Sequence, residues 1–131
     1  METVQFGEHL ILDGYGGDEA LLNSRDVVFE CLNTLPEKLD MIKLGEPVLY
    51  HSDGNALKDP GGWTGVVVIG ESHISVHTFA KRGFVSADVY TCKNGMDNDF
   101  IIKFFTEKFK LKDVETHFVK RGTRYPAENI Y

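Results

Sequence analysis

One stretch of this 131-residue chain concentrates side chains capable of covalent and acid–base work. It is residues 71–92, Glu-Ser-His-Ile-Ser-Val-His-Thr-Phe-Ala-Lys-Arg-Gly-Phe-Val-Ser-Ala-Asp-Val-Tyr-Thr-Cys. A serine or cysteine becomes a useful nucleophile when a base that titrates near neutrality lies within hydrogen-bond reach, and His73 and His77 are such bases. In a strand, His73, Ser75 and His77 share one face, so this polar row meets either solvent or a site. Cys92 ends the next strand, where antiparallel pairing brings it towards the row. Residue types alone leave two readings open, an exposed polar sheet face and a nucleophile–base constellation.

The remaining candidates are weaker. Asp13-Gly14-Tyr15-Gly16-Gly17 precedes a helical segment, as phosphate-cradling loops do. It lacks both the Gly-Lys-Ser/Thr of a P-loop and the GxGxxG of a dinucleotide site, so it reads as a β-to-α turn. The histidines (9, 51, 73, 77, 117) form no HExxH, and Cys31 and Cys92 form no CxxC, so no metal is expected. Met-Glu-Thr-Val-Gln has neither the basic nor the apolar region of a secretory signal, so a cytoplasmic location with free thiols is expected.

These residues need a scaffold. Residues 3–12 read as a strand entering the glycine-rich turn. Asp18 stands at an N-cap, and Leu21, Leu22, Val28, Cys31, Leu32 and Leu35 recur at helical spacing in one helix that Pro36 ends, with Cys31 in the core. Residues 47–50 are extended and 51–65 form a polar loop. The β-branched run Val66-Val67-Val68-Ile69 predicts a buried strand, Gly70-Glu71-Ser72 a turn or bulge, and 73–79 and 84–91 two strands joined at Lys81-Arg82-Gly83. Asp97, Asn98 or Asp99 caps a second helix with Phe100, Ile101, Phe104, Phe105 and Phe109 on its apolar face. Residues 113–120 close the chain as a strand with Val114, Thr116 and Phe118 on one face. The implied class is α+β, a two-layer α/β sandwich with helices on one face of an antiparallel sheet.

Composition agrees with a single domain over 1–131. The chain is 42% apolar and 26% charged, too apolar for disorder and without a run long enough for a membrane span. Its net charge of −6 argues against a nucleic-acid partner. That total divides unevenly: residues 1–71 hold 13 acids and 4 bases, net −9, and residues 72–131 hold 7 acids and 10 bases, net +3.

Gly65 to Ile69, Glu71-Ser72-His73, His77-Thr78 and Asp88 to Cys92 resemble the core signature of the prokaryotic S-adenosylmethionine decarboxylases, small pyruvoyl-dependent enzymes of spermidine synthesis. The resemblance implies a proenzyme that cuts itself between Glu71 and Ser72 into a β chain (1–71) and an α chain (72–131). Ser72 becomes a covalent pyruvoyl group that forms a Schiff base with the substrate amine. His77 is implied as the processing base, Cys92 as the proton donor, and Thr64 as the counterpart of a serine that assists processing. A homodimer with elements of both copies near each pyruvoyl is implied as well.

The substrate end departs from the family pattern. Where the family has Trp-Pro-Glu after the His-Thr pair, this chain has Phe79-Ala80-Lys81, and an ammonium replaces the carboxylate associated with the ribose hydroxyls. The loop Asn55 to Trp63 replaces an aromatic followed by Pro-Tyr-Gly, and Trp63 either stacks on a base or fills its space. Trp63, His73, Phe79 and Lys81 are therefore the substrate-side candidates. S-adenosylmethionine is the expected substrate. Arginine or ornithine is an alternative, with Asp53, Asp59, Glu8 and Asp13 as possible carboxylates for a basic side chain. A nonenzymatic homologue that stays uncut and binds a partner is an alternative of another class.

Overall fold

The computed structural model describes residues 2–55, 57–58 and 60–129. Six antiparallel strands form one sheet: β2 (Gly7–Tyr15), β3 (Val48–Ser52), β4 (Gly62–Ile69), β5 (Ser72–Phe79), β6 (Phe84–Thr91) and β7 (Asp113–Arg121). Their spatial order is β3-β4-β5-β6-β2-β7. Two short segments, β1 (Thr3–Val4) and β8 (Tyr125–Pro126), pair as a separate ribbon joining the two ends of the chain. Phe6 and Tyr125 stack beside it, with ring centres 4.9 Å apart.

Helices cover one face, as the apolar spacing predicts. On α2 (Arg25–Lys38) the buried positions Val28, Cys31, Leu32 and Leu35 form a stripe against β4 and β5. On α3 (Asn98–Phe109) Ile101, Phe104, Phe105 and Phe109 are buried, and the Asp97 side chain caps the helix by accepting from the Phe100 N–H. Leu10 and Leu12 of β2, Val67 and Ile69 of β4, Ile74 and Val76 of β5, and Val85 and Val89 of β6 complete this core from the sheet side. Burying each large apolar side chain contributes roughly 1.5–3 kcal/mol, so this face holds the fold together.

Four boundaries differ from the expectation. The strand expected over 3–12 is interrupted at Gln5-Phe6, and its continuation β2 runs to Tyr15, so Asp13, Gly14 and Tyr15 of the expected turn pair within the sheet. The single first helix is two, α1 (Glu19–Leu22) and α2, because the Ser24 hydroxyl accepts from the Val27 N–H and starts a new helix. Pro36 does not end α2, which runs to Lys38. So near the C-terminus the ring removes only one helical bond, and the Pro36 carbonyl accepts from Met41 instead. The polar loop is shorter than expected, since Ser52 pairs with Gly62 and His51 with Trp63. Gly62 has φ 155° and packs against the Thr78 carbonyl, where a Cβ has no room.

The other face carries no helix among the described residues. Val48 and Tyr50 of β3, Val66 and Val68 of β4, the odd-numbered residues of β5, and Ser86, Asp88 and Tyr90 of β6 line it. Tyr50 is 69% exposed and Val68 53%. No helix among the described residues is long and apolar enough to cross a membrane.

Candidate active site

β4 and β5 meet in the two-residue turn Gly70-Glu71, closed by the pairing of Ile69 with Ser72. Glu71 has φ 58°, a left-handed conformation that costs a non-glycine residue about 1–3 kcal/mol. The left-handed residue of the turn is thus Glu71, on the acyl side of Ser72, and not the glycine beside it. Ser72 opens β5 and is buried. Because His73 pairs with Tyr90, Cys92 lies just past the end of β6, and its backbone N–H donates to Ser72 Oγ at 3.2 Å. Asp40, Met41, Gly70, Ser72, Cys92 and Lys93 line a cavity of about 150 Å³ there. Lys93 Nζ donates to the carbonyl of Asp40, another residue of the lining, at 2.7 Å.

The two cysteines thus occupy opposite environments. Cys31 is fully enclosed in the core, and burial pushes its thiol up to about 12. Cys92 is partly accessible beside Ser72.

A second cluster lies on the open face. Thr64 pairs with His77, whose Nδ1 is 3.2 Å from Thr64 Oγ1. His77 is five residues from Ser72 along β5, roughly 17 Å at about 3.4 Å per residue, and side chains an odd number of residues apart face opposite sides. Within one chain, Ser72 meets Cys92 and Thr64 meets His77, and the two pairs stay apart.

Beside that pair runs a proton network, of which only His73 and Ser75 stood out in the sequence. Asp88 Oδ2 is 2.6 Å from His9 Nε2 and 3.5 Å from His73 Nε2, and Ser75 Oγ donates to Asp88 Oδ1. Burial alone would raise the Asp88 carboxyl, but the hydrogen bonds from Ser75 and His9 and the charge of His73 hold it below its ordinary value. Arg121 donates to His9 Nδ1 at 3.0 Å and stacks over Tyr90. The ligand-type atoms of His9, His73 and Asp88 lie within 4.8 Å of one another. The Arg121 bond, however, leaves Nε2 as the proton-bearing nitrogen of His9, the reverse of what a metal-bound imidazole needs. Strand alternation alone puts Asp88 on the face of the His73-Ser75-His77 row, whereas His9 reaches it only because the sheet order sets β2 beside β6.

The substrate-side candidates disperse. Trp63 points to the helix side, with its Nε1 donating to the Asn23 carbonyl at 2.9 Å and its ring packed on His51. Phe79 stays on the open face and packs on Phe84, which packs on Tyr15. These rings line a hollow of about 840 Å³ together with Leu57, Lys58 and Arg82. Lys81, exposed in the 3-10 turn Ala80–Arg82, borders a smaller cavity that includes Glu19 and Asp53. Of the proposed carboxylates, Glu8 is buried and accepts from the Met96 N–H, so its role is structural. Asp53 pairs with His51 and Asp13 sits on the open face, while Asp59 lies outside the described residues.

A family model described as S-adenosylmethionine decarboxylase matches residues 8–122, which spans every strand of the six-stranded sheet. The chain belongs to this family. Among its S-adenosylmethionine decarboxylase relatives, a proenzyme of that name from Archaeoglobus fulgidus is 32% identical over 116 residues, 88% of this chain and 97% of the relative. Another from Acetivibrio thermocellus is 33% identical over 116 residues, 88% of each chain. The crystal structure of the adenosylmethionine decarboxylase from Aquifex aeolicus superposes with a TM-score of 0.77 at 25% identity, covering 91% of this chain and 92% of that one. The α+β fold and the decarboxylase family expected from the sequence both hold, and the family implies a pyruvoyl group.

Proposed function

We propose that this chain is the precursor of a decarboxylase of S-adenosylmethionine in polyamine synthesis, acting in the cytoplasm, and that it matures by self-cleavage between Glu71 and Ser72. The corner itself carries this reading: a strained non-glycine residue precedes a buried serine, which shares a small cavity with a cysteine. Ser72 Oγ attacks the Glu71 carbonyl, the C–N bond breaks as the C–O bond forms, and the hydroxyl proton passes to the freed amine. Glu71 is then released from its left-handed conformation, so its strain favours the step. A base takes the Ser72 α-proton, the Glu71 carboxylate leaves from Cβ, and water replaces nitrogen, which departs as ammonia.

The surroundings fit a covalent carbonyl at residue 72. The Cys92 N–H already donates to an oxygen at that position, and the cavity has room for a small head group. A pyruvoyl group there supplies an electron sink for the charge left by departing CO₂. Cys92, in the same cavity, holds the proton that returns to the substrate Cα.

A processing base must come within about 3 Å of its proton. His77 of the same chain lies too far from Ser72, so Thr64 and His77 serve Ser72 of a second copy in a homodimer. Supporting this is the apolar part of the open face, Val48, Tyr50, Val66 and Val68, which adjoins the Thr64–His77 pair and is the kind of surface that another chain covers. The aromatic hollow around Phe79 offers a stacking surface for a planar base on the same face.

Mass spectrometry of the purified protein tests maturation. Two fragments divided at residue 72, the second lacking a free amine, support the proposal, and one intact 14.7 kDa chain contradicts it. CO₂ release from S-adenosylmethionine, arginine and ornithine, measured side by side, tests the substrate. Release from the amino acids alone refutes S-adenosylmethionine.

A further inference from the structure

Lys93 immediately follows Cys92 and shares the cavity with Ser72, yet the maturation chemistry gives it no task. We infer that Lys93 receives the substrate α-carboxylate and so sets affinity for the amino-acid end of the substrate. This inference rests on the decarboxylase reading.

Its ammonium carries three donors, and one goes to the Asp40 main-chain carbonyl. That contact ties the ammonium to another residue lining the cavity without neutralising it, and Lys93 makes no ion pair among the described residues. Lys38 borders the adjoining hollow rather than the cavity that holds Ser72, and two further cations are engaged elsewhere. Lys43 bonds to Asn33 and pairs with Glu37, and Arg121 is spent on His9 and Tyr90. A substrate whose amine engages residue 72 places its carboxylate one carbon away from that nitrogen. In a cavity of about 150 Å³ lined by Asp40 and Lys93, the ammonium is the group that attracts it. The backbone fixes the arrangement: the Lys93 N–H donates to Thr91 Oγ1 at 3.0 Å, and Asp40 takes a left-handed conformation, φ 56°, which turns its carbonyl to the cavity rim.

The chemistry gives this role a distinctive signature. Decarboxylation converts the carboxylate into neutral CO₂, so an ammonium beside it binds the ground state at least as well as the transition state. Such a group lowers KM without raising kcat. A K93Q enzyme should therefore show KM for S-adenosylmethionine raised roughly ten- to hundredfold, as expected for losing a hydrogen bond to a charged group, with kcat unchanged or higher. The decarboxylated product has no carboxylate, so its dissociation constant, measured by calorimetry on the matured enzyme, should change less than about twofold. K93R, which keeps the cation, should recover most of the lost affinity.

Several results would overturn the inference alone: an active K93Q enzyme with the parental KM, equal weakening of product and substrate, or a K93Q chain that stays uncut. A wild-type protein that matures but releases no CO₂ from S-adenosylmethionine overturns the decarboxylase reading, and this inference with it.

Discussion

The Ser72–Cys92 corner and the Thr64–His77 pair are built in different ways. The corner is assembled from residues of one chain. A turn holds it on one side, a backbone hydrogen bond from Cys92 on another, and a left-handed Glu71 strains the bond that precedes it. The Thr64–His77 pair lies on a sheet face with no helix over it, and only strand register holds it in place. The contrast separates two kinds of requirement. A reacting bond needs local geometry that a single fold can supply, whereas a base that acts once can be delivered by a neighbouring molecule.

The sharpest way to break this contrast is to mix variants. Ser72→Ala should abolish cleavage, leaving an intact chain. His77→Ala should slow it by about 10²–10⁴-fold, the usual loss for a general base. Co-refolding the two should restore cleavage of the His77→Ala chain, because the Ser72→Ala chain brings an intact His77 to it. No restoration in a mixed dimer, read by mass spectrometry, would show that each copy serves itself. Next in size is Cys92→Ala, which should mature normally and lose about 10²-fold or more in turnover. Equal failure of maturation would move Cys92 into the cleavage step.

An intermediate effect concerns the open face. Val68→Glu should shift the protein to a monomer in sedimentation while leaving the circular dichroism of the helix-covered fold intact. A dimer that persists would place the interface elsewhere.

Much of this organisation was legible in the sequence. The strand alternation at 73–79 and 84–91 located the polar row, and the helical stripes at Val28 to Leu35 and Ile101 to Phe109 identified the covered face. Ser72 and Cys92 stood out through motif spacing. Their separation from His77 was less apparent, although the odd interval between residues 72 and 77 already put them on opposite faces. The network of His9, Asp88 and Arg121 was hidden because it joins strands 79 and 112 residues apart, a pairing that only the sheet order creates. The position of Trp63 has a local cause. An unpaired carbonyl at Asn23, left by the break between α1 and α2, captures its indole.

Smaller effects sharpen the comparison. Asp88 is held below its ordinary value in the fold, so its ionised form adds stability that is fully present above the unfolded carboxylate value of about 3.9. That stability is lost as pH falls through the lower folded value. The melting-temperature gap between wild type and Asp88→Asn should thus be widest near neutrality and shrink towards pH 3. A gap that grows on acidification would reverse the sign. Smallest of all is Gly70→Ala, since a Cβ there meets nothing within 4 Å and Glu71 carries the strain. Cleavage rates should match those of wild type.

The strand order has a last consequence, for the order of events in the protein's life. Cleavage at Glu71–Ser72 would leave β2, β3 and β4 on one polypeptide and β5, β6 and β7 on the other, and the order β3-β4-β5-β6-β2-β7 makes three of the five strand boundaries junctions between them. Released singly, the first polypeptide would carry β2 with both edges bare, and the second would leave a gap between β6 and β7. Bare edges invite aggregation. Separately made halves would therefore have no safe folded state in which to await each other, so folding would have to precede the cut, and the intact precursor would act as the template on which its two future chains are woven.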